Sequence, residues 1–164
     1  MSVDRAPGND HVRGPQGERR PARPAGDRHR HHLAIALAIK AAEAGYPVAF
    51  NSATGWIARL ADAHAHGRLE LELRRLNRNR LILVDEVGYL PFDAASAALF
   101  FQLIASRYET GSVIVTSNLP FSRWGETLGD AVVAAATIDR LVHHAHVIPL
   151  DGDSYRTRAH RKTK

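Results

Sequence analysis

Two adjacent carboxylates, Asp85 and Glu86, are the residues in this sequence best placed to do chemistry. They follow residues 81–84, an unbroken apolar run that is typical of a strand buried on both faces of a parallel sheet. Ligands of open α/β sheets bind at the carboxyl ends of such strands, and acids buried there need a positive partner. We therefore expect a Mg²⁺-nucleotide, with Asp85 holding the metal through water and Glu86 activating the attacking water. The alternative is that both acids are simply solvated.

Two further polar residues have types that serve nucleotide hydrolysis. Asn118 follows the apolar run 112–116, where its amide could bind a γ-phosphate or the attacking water. Arg140 lies in a helical stretch, from which it could neutralise a phosphoryl group held by an adjacent subunit. Individually, such an Asn is more often a turn residue and such an Arg more often part of a local ion pair. The order and spacing of these residues together favour hydrolysis.

The elements that must position these residues alternate between strands and helices, which indicates a three-layer α/β fold. The first helix is apolar nearly all round, which predicts that it is buried. Strands are predicted at 47–51, 81–84, 112–116 and 146–150, helices at 33–43, 52–66, 68–77, 94–108 and 131–144, and an irregular segment with a packed Trp124 at 120–129.

The two ends of the chain differ in composition from its middle. Residues 1–32 are basic, hold four of the eight prolines and contain no Leu, Ile, Phe, Tyr or Trp, so we predict disorder there. Residues 33–150 form the predicted core domain, and residues 151–164 a basic tail. The cluster His29-Arg30-His31-His32 could bind a metal, although such clusters are more often only polar.

Composition limits the classes of function. The 164 residues suit one domain, and the net charge of +5 permits contact with nucleic acid without requiring it. With no cysteine there is no disulfide, no thiolate zinc site and no cysteine nucleophile, which fits a cytoplasmic protein. No apolar run is long enough to span a membrane, and no signal peptide is recognisable, so we expect no membrane association.

Four stretches together resemble one family. They begin at His32 (HLAIAL), Leu81 (LILVDEVGYLP), Val113 (VIVTSNLPFSRW) and Ile138 (IDRLVHHA). Over residues 32–158 the chain resembles the IstB-type ATP-binding helper proteins of insertion sequences, which are relatives of the DnaC helicase loader within the AAA+ P-loop ATPases. The resemblance implies that ATP and Mg²⁺ are the cofactors, that Asp85 and Glu86 form the Walker B pair, that Asn118 is the sensor and that Arg140 is the arginine finger. It also implies ATP-driven homo-oligomers that bind double-stranded DNA and help a transposase to choose its target.

The chain departs from the family at the phosphate loop. Where the family has Gly-x-x-Gly-x-Gly-Lys-Thr before His-Leu, this sequence reads PAGDRHRH at residues 24–31. Arg30 falls at the Lys and His31 at the Thr, so these two residues are the candidates for contacting the nucleotide, although His31 offers no hydroxyl to Mg²⁺ and Arg30 is a poor substitute. Asp27 falls where a glycine should meet phosphate.

The family's first strand also has no counterpart in residues 1–32. That strand would lie between the segments 112–116 and 146–150, so the predicted AAA+ sheet is incomplete. One hypothesis is that residues 1–31 come from a shifted reading frame.

We therefore expect weak or absent ATP affinity, and enzymatic activity stays an open question. The alternatives are a non-enzymatic DNA- or partner-binding module that uses the basic residues of 156–164, and a remnant without function.

Overall fold

A computed structural model describes residues 25–150 of the chain. Its three strands form one parallel sheet in the order β1-β2-β3. The elements in chain order are α1 (Ala25–Glu43), β1 (Val48–Ser52), α2 (Ala53–Ala65), α3 (Leu69–Leu76), β2 (Leu81–Val87), α4 (Ala94–Arg107), β3 (Ser112–Ser117), a 3₁₀ turn (Phe121–Arg123), α5 (Trp124–Leu128) and α6 (Ala131–Val142). The predicted α/β class with a parallel sheet is confirmed.

The central strand β2 is buried on both faces, as its unbroken apolar sequence predicts. Leu83 lies beside Phe50 of β1 and Ile114 of β3. Successive side chains of a strand point to opposite faces. Ile82 and Val84 belong to the main apolar core, together with residues of α2, α4, α5 and α6. Asp85 is contacted from α1, so helices cover both faces of the sheet and give three layers.

Short polar residues begin three of the helices. The side-chain oxygens of Ser52, Asp93 and Asp130 accept hydrogen bonds from backbone N–H groups in the first turns of α2, α4 and α6. Each therefore satisfies a donor that the helix itself leaves unpaired. In α2, Trp56 is fully buried and its indole N–H donates to the Leu83 carbonyl at 3.0 Å, which fixes the helix on the central strand.

A buried arginine, Arg107, links three elements of the fold near the amino ends of β2 and β3. The Arg107 side chain, at the end of α4, is only 1% exposed. Its guanidinium donates to the backbone carbonyls of Leu76, Arg80 and Ser112 and to the Asn77 side chain. Burial, together with the charge of Arg80, holds the pKa of Arg107 below its ordinary value. The contacts link the end of α3 to the starts of β2 and β3.

The first helix differs from its prediction in two ways. It begins at Ala25, so the predicted disorder is wrong for residues 25–32, and the remainder of that segment lies outside the described residues. The helix extends because no proline follows Pro24 there and because Arg30 and His31 contact the sheet. The predicted burial is also wrong: Leu33, Leu37 and Ile39 are 39–52% exposed, because α1 rests on the strands along one side only.

Two other predictions need correction. Residues 146–150 have no strand conformation; Val147 and Ile148 are exposed, and within residues 25–150 no neighbouring strand lies beside them to pair with. The segment 120–129, predicted to be irregular, contains the 3₁₀ turn and the short helix α5. Trp124 is 1% exposed, as its predicted packing requires.

Candidate functional site

The candidate site lies at the carboxyl end of β2, where the pairing with β3 becomes irregular. The register shifts between Val84 and Val87, so Asp85 and Glu86 form a bulge. Glu86 has a φ of +62°, a left-handed conformation that costs free energy in a residue other than glycine. The Asp85 side chain is buried, with 4% of its surface exposed. The bulge therefore combines a buried carboxylate with a strained backbone.

Thr116 at the end of β3 holds this bulge in place. Its hydroxyl accepts from the backbone N–H of Glu86 at 3.0 Å and donates in a short hydrogen bond to Oδ1 of Asp85. One hydroxyl thus satisfies a buried carboxylate oxygen and the backbone N–H of the strained residue. Without it, both groups would bear a desolvation penalty. Thr116 was part of the sequence motif but had no predicted role, and its position opposite the bulge depends on a register shift that the sequence does not show.

Asn118 lies in the loop directly after β3. It lines the same cavity as Asp85 and Glu86. The Ser117 hydroxyl bonds to the carbonyls of Val87 and Leu119, which holds the end of β3 against β2. Gly88 has a φ of +95°, and a Cβ there would lie 3.1 Å from the Asn118 side-chain oxygen and 2.8 Å from Leu119. The absence of a side chain at Gly88 therefore lets the Asn118 loop approach β2.

Arg30 and His31 reach the same site from α1. His31 Nδ1 lies 2.6 Å from Oδ2 of Asp85, and the imidazole is 27% exposed. The guanidinium of Arg30 donates to the Ser117 carbonyl at 2.6 Å. The His31 ring also makes an edge contact with Phe50 of β1, with the ring centroids 6.4 Å apart. The two residues that the sequence predicts at the Lys and Thr positions of the phosphate loop therefore both lie at the carboxyl end of the sheet.

The geometry of these residues does not fit a magnesium-bound triphosphate. The cavity lined by Arg30, Asp85, Glu86, Asn118 and their neighbours has a volume of about 20 Å³, which is room for about one water molecule. Magnesium prefers octahedral oxygen ligands at about 2.1 Å. At Asp85, however, one oxygen faces the Thr116 hydroxyl and the other faces an imidazole. Among residues 25–150, no group of three or more His, Asp or Glu is arranged to hold a metal.

Arg140 does not join this cluster within one molecule. Its guanidinium stacks on the Phe101 ring of α4, 4.6 Å from the ring centroid, and donates to the Ala136 carbonyl. It does not line the cavity around Asp85. The structure therefore brings together five of the six predicted site residues, which are Arg30, His31, Asp85, Glu86 and Asn118, and leaves Arg140 on a separate helix.

Comparison with known proteins identifies the family. The family model described as IstB-like ATP binding protein matches residues 24–163. This chain belongs to that family. It is 47% identical over 131 residues to the ATP-binding protein assigned to insertion sequence IS21 in Pseudomonas aeruginosa, covering 80% of this chain and 49% of that protein. It is 43% identical over 130 residues to the one assigned to IS5376 in Geobacillus stearothermophilus, covering 79% and 52%.

The IstB-like chain thus spans about half the length of these relatives. Its fold resembles the AAA+ proteins of replication. The AMPPCP-bound DnaA of Aquifex aeolicus superposes with a TM-score of 0.61 at 18% identity, over 76% of this chain and 37% of that one. The DnaC helicase loader superposes with a TM-score of 0.55 at 18% identity, over 67% of each chain. At this identity the likeness concerns the fold alone.

The helices between residues 25 and 150 include none with the length and apolar character needed to cross a bilayer.

Proposed function

We propose that this IstB-like chain assists a transposase in selecting double-stranded target DNA, and that its nucleotide binding is impaired. The impaired nucleotide binding is supported by one observation, the contacts of the Asp85 side chain. Its two carboxylate oxygens contact Thr116 and His31, so a hydrated Mg²⁺ at Asp85 would have to compete with these contacts. The first part rests on the relatives, which are named for insertion sequences.

The cofactors that we propose are ATP and Mg²⁺, and we expect this chain to bind them weakly. ATP is the ligand that the family name implies, and Mg²⁺ would be its usual companion. Glu86 and Asn118 line the cavity in which a nucleotide-hydrolysing protein would need a base and a sensor. With Arg30 and His31 in their present positions, we assign no hydrolytic step to these residues. ATP affinity should be far weaker than micromolar.

The partners that we propose are double-stranded DNA, the transposase of the same insertion sequence and further copies of this chain. A related fold, that of DnaA, has been solved bound to AMPPCP and single-stranded DNA, which is a property of that protein. The Arg140 guanidinium lies over the Phe101 ring within one chain, and its proposed partner is a site on an adjacent copy. A cytoplasmic location fits this role in DNA transactions.

The direct test is a transposition reaction reconstituted with the transposase, a donor end and a target plasmid. Adding this chain should change the distribution of insertion sites on the target, and the change should be the same with ATP, with a non-hydrolysable analogue and without nucleotide. Unchanged insertion sites at saturating concentrations of the chain would contradict the proposed role. A change that appears only with ATP would contradict the impaired nucleotide binding.

The second candidate is a DNA- or partner-binding module that never uses nucleotide. The observation that favours it is again the contact of His31 with Asp85. The basic residues of 156–164, on which this alternative relies, lie outside the described residues. Duplex binding should then weaken steeply between low and moderate salt and fall on deletion of 156–164. Equal affinity with and without that segment would remove this candidate.

A further inference from the structure

Asp85 is a buried acid, and each of its two oxygens has a partner within the chain. A carboxylate with 4% of its surface exposed bears a large desolvation cost unless a cation or several donors face it. Thr116 supplies one donor, to Oδ1. The partner of Oδ2 is the His31 ring nitrogen at 2.6 Å, from a different element of the fold. The contact joins α1 to β2 across 54 residues of sequence.

The neighbouring contacts hold His31 in that position. Phe50 of β1, whose own side chain is 52% exposed, presents its ring at an angle of 64° to the imidazole. Arg30, the preceding residue, bonds to the Ser117 carbonyl and so fixes the same turn of α1 at the end of β3. Two consecutive side chains of one helix therefore attach it to the carboxyl ends of β2 and β3.

We infer that Arg30 and His31 act as an internal plug: His31 is the resident hydrogen-bond partner of Asp85 and takes the place of a divalent metal there. This inference deepens the proposed function, and it rests on that function only for the assignment of the site to nucleotide. The plug has two consequences. The fold should need no metal or nucleotide at this site, and removal of His31 should uncover Asp85 for a divalent cation.

The first test is a double-mutant cycle in urea unfolding, without metal, nucleotide or DNA. The variants are His31→Ala, Asp85→Ala and the double variant, with His32→Ala as the control, because His32 is the exposed neighbour on the same helix. His31→Ala should raise the unfolding equilibrium constant by about tenfold and His32→Ala by less than about threefold, with a coupling of at least about fivefold between positions 31 and 85. His31→Phe, which keeps a ring beside Phe50, should lose the same coupling if the alanine variant fails to fold.

The second test uses Mn²⁺ alone as the probe, followed by thermal unfolding. Mn²⁺ should raise the melting temperature of His31→Ala, and it should leave the wild-type chain and the His31→Ala/Asp85→Ala variant unchanged. Additive effects in the cycle, or equal responses of the wild type and His31→Ala to Mn²⁺, would overturn the inference. Stabilisation of the wild type by micromolar Zn²⁺ would also overturn it, since the His31–Asp85 pair would then be a metal site. None of these results depends on the transposition assay, so the proposed function and the plug can fail separately.

Discussion

At the scale of single residues, the carboxylate of Asp85 explains most of the candidate site. It lies in a bulge, on a strand that is buried on both faces, beside a residue with a left-handed backbone. Each of its oxygens has a partner within the chain, Thr116 on one side and His31 on the other. The sequence identified the acid because an apolar run ended in it, but only the structure showed which groups satisfy it.

The hydroxyl of Thr116 should stabilise the fold by bridging Asp85 and Glu86. Thr116→Val keeps the shape of the side chain and removes the hydroxyl, which leaves Oδ1 of Asp85 and the N–H of Glu86 without that partner. We expect the free energy of unfolding to fall by about 2 kcal/mol, the typical cost of an unsatisfied buried polar group. Urea denaturation measures the change. Thr116→Ser keeps the hydroxyl and is the matched control, so equal losses in both variants would refute the bridging role.

At the level of secondary-structure elements, the stability of α4 should depend on pH through its capping residue Asp93. The hydrogen bonds from Ser96 at the start of α4 hold the pKa of Asp93 below its ordinary value of 3.8. Because the folded-state pKa is lowered, this contribution to stability is present above the unfolded-state pKa and is lost as the pH falls through the folded-state value. Thermal melts from about pH 5 downwards should show this loss in the wild type and a smaller one in Asp93→Asn, since Asn keeps the cap without titrating. Identical pH profiles would contradict the assignment.

We also predict that Arg107 stabilises the junction of α3, β2 and β3. Arg107→Met replaces the buried guanidinium with an apolar chain and removes donors to three backbone carbonyls. We expect the free energy of unfolding to fall by about 2–4 kcal/mol, because buried acceptors lose their partners. The urea midpoint measures this, with Arg78→Ala as the control at a nearby exposed arginine. A loss no larger than that of the control would show that Arg107 does not join these elements.

Much of the element pattern could be predicted because local chemistry specifies it. The branched apolar runs predicted β2 and β3, and the amphipathic stretch that starts after Asp93 predicted α4. The predictions failed where long-range contacts decide the conformation. Residues 25–32 resemble a disordered segment in composition, but the contacts of Arg30 and His31 with the sheet stabilise a helix there. Conversely, residues 146–150 have the composition of a strand but find no neighbouring strand in the described part of the chain.

The candidate site was predictable only in part for the same reason. Asp85, Glu86 and Asn118 end neighbouring parallel strands or follow them, so topology alone brings them together. The role of Thr116 depends on the register shift, which the sequence does not show. The contact of Arg140 with Phe101 depends on how α6 packs against α4, and periodicity alone does not specify that packing.

At the scale of the whole molecule, the chain combines an IstB-like AAA+ fold with a phosphate-loop region that has a different chemistry. The sheet and its helices keep the arrangement shared with DnaA and DnaC, although only three strands are formed within residues 25–150. Where the sequence predicts the phosphate-contacting residues, an arginine and a histidine of α1 contact Ser117 and Asp85. We propose that, in this member of a family named for ATP binding, the chain's own side chains fill the nucleotide site.

The most direct measurement is calorimetric titration of the chain with ATP in the presence of Mg²⁺, with Asp85→Ala as the control. The arrangement around Asp85 predicts no saturable heat at micromolar ATP and the same trace for the variant, because a nucleotide and its metal would have to displace the contacts of His31 and Thr116 with this carboxylate. A micromolar dissociation constant that Asp85→Ala abolishes would contradict the claim.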